Sequence, residues 1–144
     1  MTRVLTLAVI PLLLVGTGPA VAQDKSLYER LGRYDAIAAV VDDFTARLVA
    51  DPEFARFFSG TSTDSKRRLR QNIVDQICML AGGPCYYLGR PTKTAHAGMG
   101  ITEHEWQATV VHLTAALDKF KVPAREKQDL LNALTTLKAD VVEK

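Results

Sequence analysis

Residues 82–101, GGPCYYLGRPTKTAHAGMGI, lie between two strongly helical segments. Its glycines and prolines exclude one long helix, because glycine favours turns and proline interrupts helical hydrogen bonding. The stretch presents His96 directly after a short Thr-Lys-Thr-Ala turn. The sequence therefore predicts a nearly structureless loop that carries one histidine between apolar helices.

His96 is the candidate functional residue of this loop. An imidazole that is held in a fixed direction in dry surroundings suits a metal ion or a haem iron. A surface histidine on a flexible loop is the alternative, and the loop taken alone favours that alternative. The surrounding segments decide between the two interpretations.

The first 22 residues have the pattern of a secretory signal peptide. Arg3 supplies a charged start, residues 4–15 are almost wholly apolar, and residues 20–22, AVA, form a small-residue cleavage site before Gln23. An uncleaved membrane anchor is the alternative, but an apolar run of about 12 residues is shorter than the roughly 20 that span a bilayer. We predict cleavage after Ala22, one domain over residues 23–144, export to the periplasm, and no stable membrane insertion after cleavage.

Charge and cysteine content narrow the function classes. Removing Arg3 lowers the formal net charge from +2 to +1, so no basic excess points to nucleic acid. Cys78 and Cys85 are the two cysteines of the chain. An oxidising compartment allows a disulfide between them, and we prefer it to two separate buried thiols. Their spacing argues against a zinc ribbon, a thioredoxin-type centre and covalently attached c-type haem.

Capping residues predict the first helices. Ser26 caps a short helix over residues 27–31, and Asp35 caps a second helix that ends at Asp51-Pro52. A third helix is predicted from about residue 63 to residue 81. The start of this helix is cationic. Its cations either face solvent or pair with the carboxylates of a bound cofactor. The cations are Lys66, Arg67, Arg68 and Arg70.

Two further helices follow the His96 loop. Thr102 and Glu105 form a Thr-x-x-Glu capping box, and Pro123 opens a last helix whose apolar stripe continues to Val141. The apolar positions of all these helices recur at three and four residues, and no segment alternates with period two for long enough to indicate a strand. The sequence therefore predicts an all-α domain.

Seven short pieces of the chain occur in an order and at a spacing that resemble group I truncated haemoglobins over residues 26–142. The pieces are LYERLG at 27–32, AI with VVDDF at 36–44, ADP at 50–52, FF at 57–58, GGP at 82–84, Tyr87 with Gly89, and AHAG followed by GIT at 95–102. The resemblance implies a truncated globin-like two-over-two helical sandwich around a non-covalent haem b. It also implies His96 as the proximal iron ligand, Phe58 as a haem-packing phenylalanine, and diatomic gases as ligands.

The expected haem-binding residues form a largely apolar set. They are Phe44, Thr45, Phe57, Phe58, Leu69, Ile73, Ile77, Ile101, Trp106 and Val110. His104 and His112 follow the loop on the next helix; we expect His104 to be a surface residue and His112 to be a partly buried structural residue.

The chain departs from the family pattern on the distal side. Thr45 stands where the family usually has a tyrosine that donates a hydrogen bond to the bound ligand. The family often has a glutamine on the distal helix as a second hydrogen-bond donor. In this chain we assign Leu69, Ile73 and Ile77 to the haem-facing side of that helix. Gln71 or Gln76 would face the haem if the register of the helix were shifted. Arg33 also replaces the second glycine of an early Gly-Gly pair. We predict an apolar distal pocket that retains oxygen poorly and keeps its affinity for carbon monoxide and nitric oxide.

These expectations leave two functional classes that use haem and one alternative without a cofactor. The first is binding of oxygen, nitric oxide or carbon monoxide by a monomer, with weak nitric oxide dioxygenation where an electron donor is present. The second is a non-enzymatic haem-based sensor, haem carrier or redox protein outside the cytoplasm. The remaining alternative is a small helical bundle without a cofactor.

Overall fold

The computed structural model describes residues 24–144, so the predicted signal peptide lies outside the described residues. Every regular element of the described part is helical, which confirms the all-α prediction. The elements are α1 (Leu27–Arg30), α2 (Arg33–Ala50), a 3-10 helix (Pro52–Phe54), α3 (Ala55–Phe58), α4 (Thr63–Leu80), α5 (Thr92–His96), α6 (Glu103–Lys119), α7 (Ala124–Thr135) and α8 (Lys138–Val141).

Side-chain caps start two of these helices as predicted. The Ser26 hydroxyl accepts from the backbone N–H of Glu29, whose carboxylate accepts in return from the Ser26 N–H. Thr102 and Glu105 form the same reciprocal capping box at the start of α6. Each box satisfies backbone donors that a helix start would otherwise leave unpaired. The caps therefore fix where α1 and α6 begin.

The predicted start of the second helix is wrong. Asp35 lies inside the first turn of α2, and the N-cap is Gly32 with φ of 88°. Arg33 follows with φ of 68°, which is also left-handed. Two consecutive left-handed residues turn the chain sharply at this point. Helix α2 therefore begins at Arg33, two residues before the predicted cap Asp35.

Helix α2 is the centre of the core. It packs against α4 on one side and α6 on the other, while α7 contacts α1, α4 and α6. Val41, Val74, Leu117 and Leu130 are almost completely buried where these helices meet. Full burial of one such side chain contributes about 1.5–3 kcal/mol, so these contacts fix the helix arrangement. The result is a helical sandwich with α2 at its centre.

Two further segments differ from the predictions. The loop around His96 is less irregular than expected, because residues 92–96 form the short helix α5. The predicted last helix is divided into α7 and α8 at Thr136 and Leu137. The Thr136 hydroxyl donates to the Ala133 carbonyl at 2.6 Å, which competes with the regular helical ladder at this point.

A disulfide joins Cys78 of α4 to Cys85 in the following loop, with 5.8 Å between their Cα atoms. The preferred pairing is therefore present. Gly83 lies directly beneath it, and a Cβ atom at this position would come within 2.6 Å of the Cys78 sulfur and 2.5 Å of the Tyr28 ring. Only glycine fits in this turn. Within residues 24–144, no helix combines the length and the apolar character needed to cross a bilayer.

Candidate functional site

His96 is the last residue of α5, and its imidazole is half-buried. Its Nδ1 lies 2.7 Å from the backbone carbonyl oxygen of Thr92. A carbonyl only accepts hydrogen bonds, so Nδ1 carries the proton and donates it. In the neutral ring, Nε2 then keeps its lone pair, and it has no hydrogen-bond partner among residues 24–144. This is the tautomer and the orientation of a metal-ligating imidazole.

Thr92 connects this turn to α4. Its backbone carbonyl accepts from His96, and its side-chain oxygen accepts from the Gln76 amide at 3.0 Å. Pro91 caps α5, and its fixed φ suits the entry into a helical turn. Five residues are too few for a helix that is stable by itself, so contacts with the rest of the molecule must hold α5. The Gln76–Thr92 contact is one of them.

The turn after His96 is held by Glu143 near the end of the chain. The Glu143 carboxylate accepts from the backbone N–H of Gly98 at 2.8 Å and from that of Gly100 at 2.5 Å. These two N–H groups hold the pKa of Glu143 below its ordinary value. Both glycines have left-handed φ angles, 80° and 61°. The ionised carboxylate therefore lies against two donors that a glycine-rich turn presents together.

Arg56 holds the same turn from another side. Its guanidinium donates to the Met99 carbonyl at 2.7 Å and pairs with the Glu105 carboxylate at 2.7 and 2.8 Å. Burial alone would raise the pKa of Glu105, but hydrogen bonds from Thr102 and Arg56 outweigh it and leave the pKa below its ordinary value. An ion pair made on both carboxylate oxygens has a fixed geometry. It joins α3, α6 and the turn after His96.

The predicted apolar residues differ in burial. Phe44, Ile77 and Ile101 are buried, and Leu69 is 40% exposed. Thr45, Phe57, Phe58, Ile73, Trp106 and Val110 are half-buried. Leu69, Trp106 and Val110 belong neither to the buried core nor to the side chains packed against it. Apolar side chains on α4 and α6 are thus partly open and remain accessible to an apolar ligand.

Ile77 has a second role in the structure. It lines a small internal apolar cavity with residues of α2, α6 and α7, including Ile37, Leu117 and Leu130. Leu69, Ile73 and Ile77 follow one another at intervals of four residues and share one face of α4. Along this face the side chains change from exposed at Leu69 to buried at Ile77.

Thr45 makes its hydrogen bond within its own helix. Its hydroxyl lies 2.8 Å from the Val41 carbonyl oxygen and 3.2 Å from the Asp42 carbonyl oxygen, so the hydroxyl proton is donated there. A threonine hydroxyl has one proton to donate. The sequence pointed to Thr45 as the remaining donor of the distal side, whereas the structure commits this proton to the backbone.

The two glutamines considered for a shifted register have other partners. The Gln71 amide donates to the Tyr34 hydroxyl at 2.6 Å and to Asp75 at 2.9 Å. The Gln76 amide donates to Thr92, as described above. Each of the two amide groups therefore already donates a hydrogen bond within the protein. The sequence did not predict the contact between Gln76 and Thr92, because no local pattern links residues 16 positions apart.

The cations at the start of α4 fall into two groups. Arg70 makes a two-pronged ion pair with Asp42 at 2.6 and 2.9 Å, and Arg67 pairs with Asp64. Arg68 lies 3.4 Å from the Ser65 hydroxyl. Within residues 24–144, Lys66 and Arg68 have no carboxylate partner, so they are the cations of this group that remain for an anionic ligand.

The other two histidines lie where the sequence predicted. His104 is on the surface, with its side chain 82% exposed, 3.4 Å from Glu53. His112 is partly buried, with its Nε2 2.7 Å from the Asp51 carboxylate and its ring edge-on to Phe54. This contact engages Nε2 of His112, the ring nitrogen that has no partner in His96 within residues 24–144. Within residues 24–144, His96 is thus the half-buried histidine whose Nε2 has no hydrogen-bond partner.

The donor set fits a metal that brings most of its ligands with it. One imidazole supplies a single ligand, whereas a bare zinc ion takes three or four from a protein. Among residues 24–144, no three His, Cys, Asp or Glu side chains converge on a common point. An iron porphyrin supplies four ring nitrogens and leaves axial positions for a protein ligand. His96, with open apolar side chains on α4 and α6, matches the requirements of haem.

Comparisons with known proteins identify relatives of this chain. A family model described as bacterial-like globin matches residues 26–143. A group 1 truncated haemoglobin of Mycolicibacterium paratuberculosis is 34% identical over 120 residues, which cover 83% of this chain and 86% of the relative. A group 1 truncated haemoglobin of Nostoc sp. is 29% identical over 119 residues, which cover 83% of this chain and 98% of the relative.

Solved structures show the same relation. The truncated haemoglobin of Tetrahymena pyriformis in its Fe(III) form superposes with a TM-score of 0.76 at 27% identity, covering 83% of this chain and 100% of that one. The 2/2 haemoglobin of Synechococcus sp., in the cyanomet state and with covalently attached haem, gives a TM-score of 0.73 at 25% identity with the same coverage. The chain described here therefore belongs to the bacterial-like globin family and has the fold of the truncated haemoglobins.

Proposed function

We propose that this chain is a monomeric haem b protein that binds oxygen, nitric oxide and carbon monoxide at an iron held by His96, with a distal side poor in hydrogen-bond donors. Membership of the globin family supports haem-based ligand binding in general. The observation that carries the assignment to His96 is its geometry: Nδ1 donates to the Thr92 carbonyl and Nε2 is unengaged within the described chain.

Haem, when bound, would supply an iron that binds a diatomic gas. The protein residues orient and shield it. The Thr92 carbonyl fixes the tautomer of His96, so that Nε2 is the ring nitrogen that would hold the iron. Leu69, Trp106 and Val110 offer partly exposed apolar area. We assign Arg68 at the start of α4, which has no carboxylate partner within residues 24–144, as the partner of a haem propionate. We assign non-covalent binding, since both cysteines form the disulfide and no haem-attachment motif is present.

The distal side sets the order of ligand preference. A polar bound ligand such as oxygen is stabilised by a donor, whereas carbon monoxide and nitric oxide depend less on one. A hydrogen bond of this kind is worth roughly 1–3 kcal/mol, which corresponds to about 5- to 150-fold in a rate or an equilibrium. Since the Thr45 proton is donated to the backbone, we expect fast oxygen dissociation and only modest nitric oxide dioxygenation with an added electron donor.

Substitution of Thr45 tests this proposal. Thr45→Tyr introduces a donor, and we expect oxygen dissociation to slow by roughly 10-fold or more, with a smaller change for carbon monoxide. Thr45→Phe is the matched control, because it adds the same ring without the hydroxyl. Stopped-flow measurement of oxygen dissociation distinguishes the two. Equal rates for the two variants, or wild-type dissociation already as slow as that of Thr45→Tyr, would show that the distal donor has been misassigned.

The disulfide favours a second candidate function. A bond between Cys78 and Cys85 suits an oxidising compartment, which supports export to the periplasm with cleavage after Ala22. Oxidation of the iron without a dedicated reductase would there favour a haem-based sensor, haem carrier or redox protein over a gas carrier. Cell fractionation and the lifetime of the oxygenated protein separate the candidates. A periplasmic protein that oxidises within minutes supports the second, and one that stays ferrous for hours supports gas binding.

The cofactor itself is tested by titration with hemin. We expect one haem per chain, a Soret band, and ordered spectral changes on reduction and on addition of carbon monoxide. A helical protein that shows no Soret band after titration would leave the bundle without a cofactor as the correct interpretation. Haem that stays with the chain after acid extraction would contradict non-covalent binding.

A further inference from the structure

The C-terminal tail of the chain contacts the segment that follows His96. The backbone N–H groups of Glu143 and Lys144 donate to the Ile101 carbonyl at 2.8 and 3.2 Å, and the Glu103 N–H donates to the Lys144 carbonyl at 3.0 Å. Helix α8, which precedes the tail, is also the helix that α5 contacts most. The tail is therefore attached on both sides of the start of α6.

This attachment places the Glu143 side chain against the turn between α5 and α6. Its two oxygens accept one backbone N–H each, from Gly98 at 2.8 Å and from Gly100 at 2.5 Å. Gly98 lies two residues after His96. A Cβ at Gly98 would meet nothing within 4 Å, so neighbouring atoms do not restrict this turn by packing. Glycine also has wide conformational freedom, so the turn depends on hydrogen bonds for its shape.

We infer that Glu143 is a positioning residue for His96: its carboxylate fixes the Gly98–Gly100 turn and thereby the direction in which the imidazole presents Nε2. The inference rests on the proposed function, in which His96 holds the iron. α5 has one hydrogen bond from α4, through Gln76 and Thr92, at its first residue. Glu143 holds the chain just beyond its last residue. Together they define both ends of the helical turn that carries the ligand.

Glu143 acts on a turn that Arg56 also contacts, and the two contacts differ. Arg56 donates to the carbonyls of Met99 and Gly100, whereas Glu143 accepts from the N–H groups of Gly98 and Gly100. The Glu143 contact is nearer to His96 along the chain. Loss of the Glu143 carboxylate leaves the N–H groups of Gly98 and Gly100 without this acceptor, while the Arg56 contact remains.

Two variants and one control test the inference. Glu143→Ala removes both acceptors, and Glu143→Gln keeps one acceptor oxygen without the charge, so its effect should be intermediate. Glu103→Gln is the matched control. It breaks the 2.7 Å ion pair between α6 and Lys138 of α8, and it loosens the same helix without touching the turn.

The first readout is amide hydrogen exchange, which requires no haem. In Glu143→Ala we expect exchange at Gly98 and Gly100 to accelerate by roughly 10-fold, since two charge-assisted hydrogen bonds are lost, with unchanged exchange at core amides such as Leu113. The second readout is the iron–histidine stretching band of the ferrous, haem-loaded protein. We expect it to shift or broaden in Glu143→Ala, to change less in Glu143→Gln, and to keep its wild-type form in Glu103→Gln.

The outcomes separate this inference from the proposed function. An iron–histidine band that is present in the wild type and unaltered in Glu143→Ala overturns the inference and leaves the proposed function intact. Equal changes in Glu143→Ala and Glu103→Gln also overturn it, because they indicate general loosening of α8. A wild-type protein without an iron–histidine band contradicts the proposed function, and the inference fails with it even where the Gly98 amide is protected.

Discussion

Arg33 shows how one residue can carry local backbone strain. It has a left-handed φ of 68°, directly after Gly32 at 88°. A left-handed conformation costs a residue with a Cβ roughly 1–2 kcal/mol, and glycine avoids this cost. The Arg33 side chain offers little compensation, since it is 71% exposed and lies 3.8 Å from Glu29. The strain is held by the core contacts of α2.

We expect Arg33→Gly to raise the free energy of unfolding by about 0.5–1 kcal/mol. This net value allows for the greater flexibility that glycine gives the unfolded chain. Urea unfolding measures it. Arg125→Gly in α7 is the matched control, because the same change at an exposed helical position should lower stability by about 1 kcal/mol. A loss of stability in Arg33→Gly equal to that of the control would show that residue 33 is not strained.

At the scale of single elements, the disulfide joins the end of α4 to the loop that leads to α5. Cys78 is fully buried and Cys85 is half-buried, so the bond lies at the edge of the core. It closes a loop with a sequence separation of 7 residues. In the chain-entropy model such a loop stabilises the folded state by roughly 2.5 kcal/mol, because the unfolded chain is restricted.

Reduction should therefore lower the free energy of unfolding by about 2.5 kcal/mol. Urea unfolding with and without a thiol reductant measures this difference. Cys85→Ser is the control, and its midpoint should match that of the reduced protein and be unaffected by the reductant. A wild-type midpoint that does not move under verified reduction would mean that the bond adds nothing to stability.

The element boundaries also show what the sequence could predict. Local caps identified α1 and α6, since Ser26 and Thr102 act within three residues. Asp35 has the right chemistry for a cap but lies inside α2, because the left-handed pair before it starts the helix earlier. Helix α5 was missed for a different reason. Its threonines are poor helix formers, and the contact that supports it comes from Gln76 on another helix.

At the scale of the whole molecule, ion pairs connect helices that are far apart in sequence. Arg30 pairs with Glu126 at 2.8 Å, and Lys138 pairs with Glu103 at 2.7 Å. Hydrogen bonds from cations and backbone donors lower the pKa of several carboxylates. Side-chain hydrogen bonds lower it for Asp42, Asp43, Glu103 and Glu126, a backbone hydrogen bond from Glu53 does so for Asp51, and the bonds to Glu105 outweigh the effect of its burial.

These shifts predict acid-labile stability. A carboxyl group with a lowered folded pKa contributes stability that is present above its unfolded pKa and is lost as the pH falls through the folded pKa. We expect the free energy of unfolding to be nearly constant from pH 7 to pH 5 and to fall below about pH 4.5. Far-UV circular dichroism with urea at each pH measures it. Glu105→Gln should show a shallower acid dependence than wild type, and an identical slope would remove Glu105 from this explanation.

The site was predictable only in part. The residues around His96 and the family resemblance predicted His96 as the ligand and haem as the cofactor from local pattern. Glu143 lies 45 residues from Gly98, and Arg56 lies 49 residues from Glu105. Contacts over such distances depend on how the helices pack, which no local periodicity describes. The role of Thr45 was also hidden, because the donation of its hydroxyl to Val41 depends on a side-chain rotamer.

We propose that the imidazole of His96 holds the iron. The most direct measurement is the iron–histidine stretching band of the ferrous His96→Gly protein, recorded with and without free imidazole. We predict that the band is lost in this variant and returns with added imidazole, while His104→Ala keeps the wild-type band. A wild-type band that persists in His96→Gly without imidazole would show that another residue holds the iron.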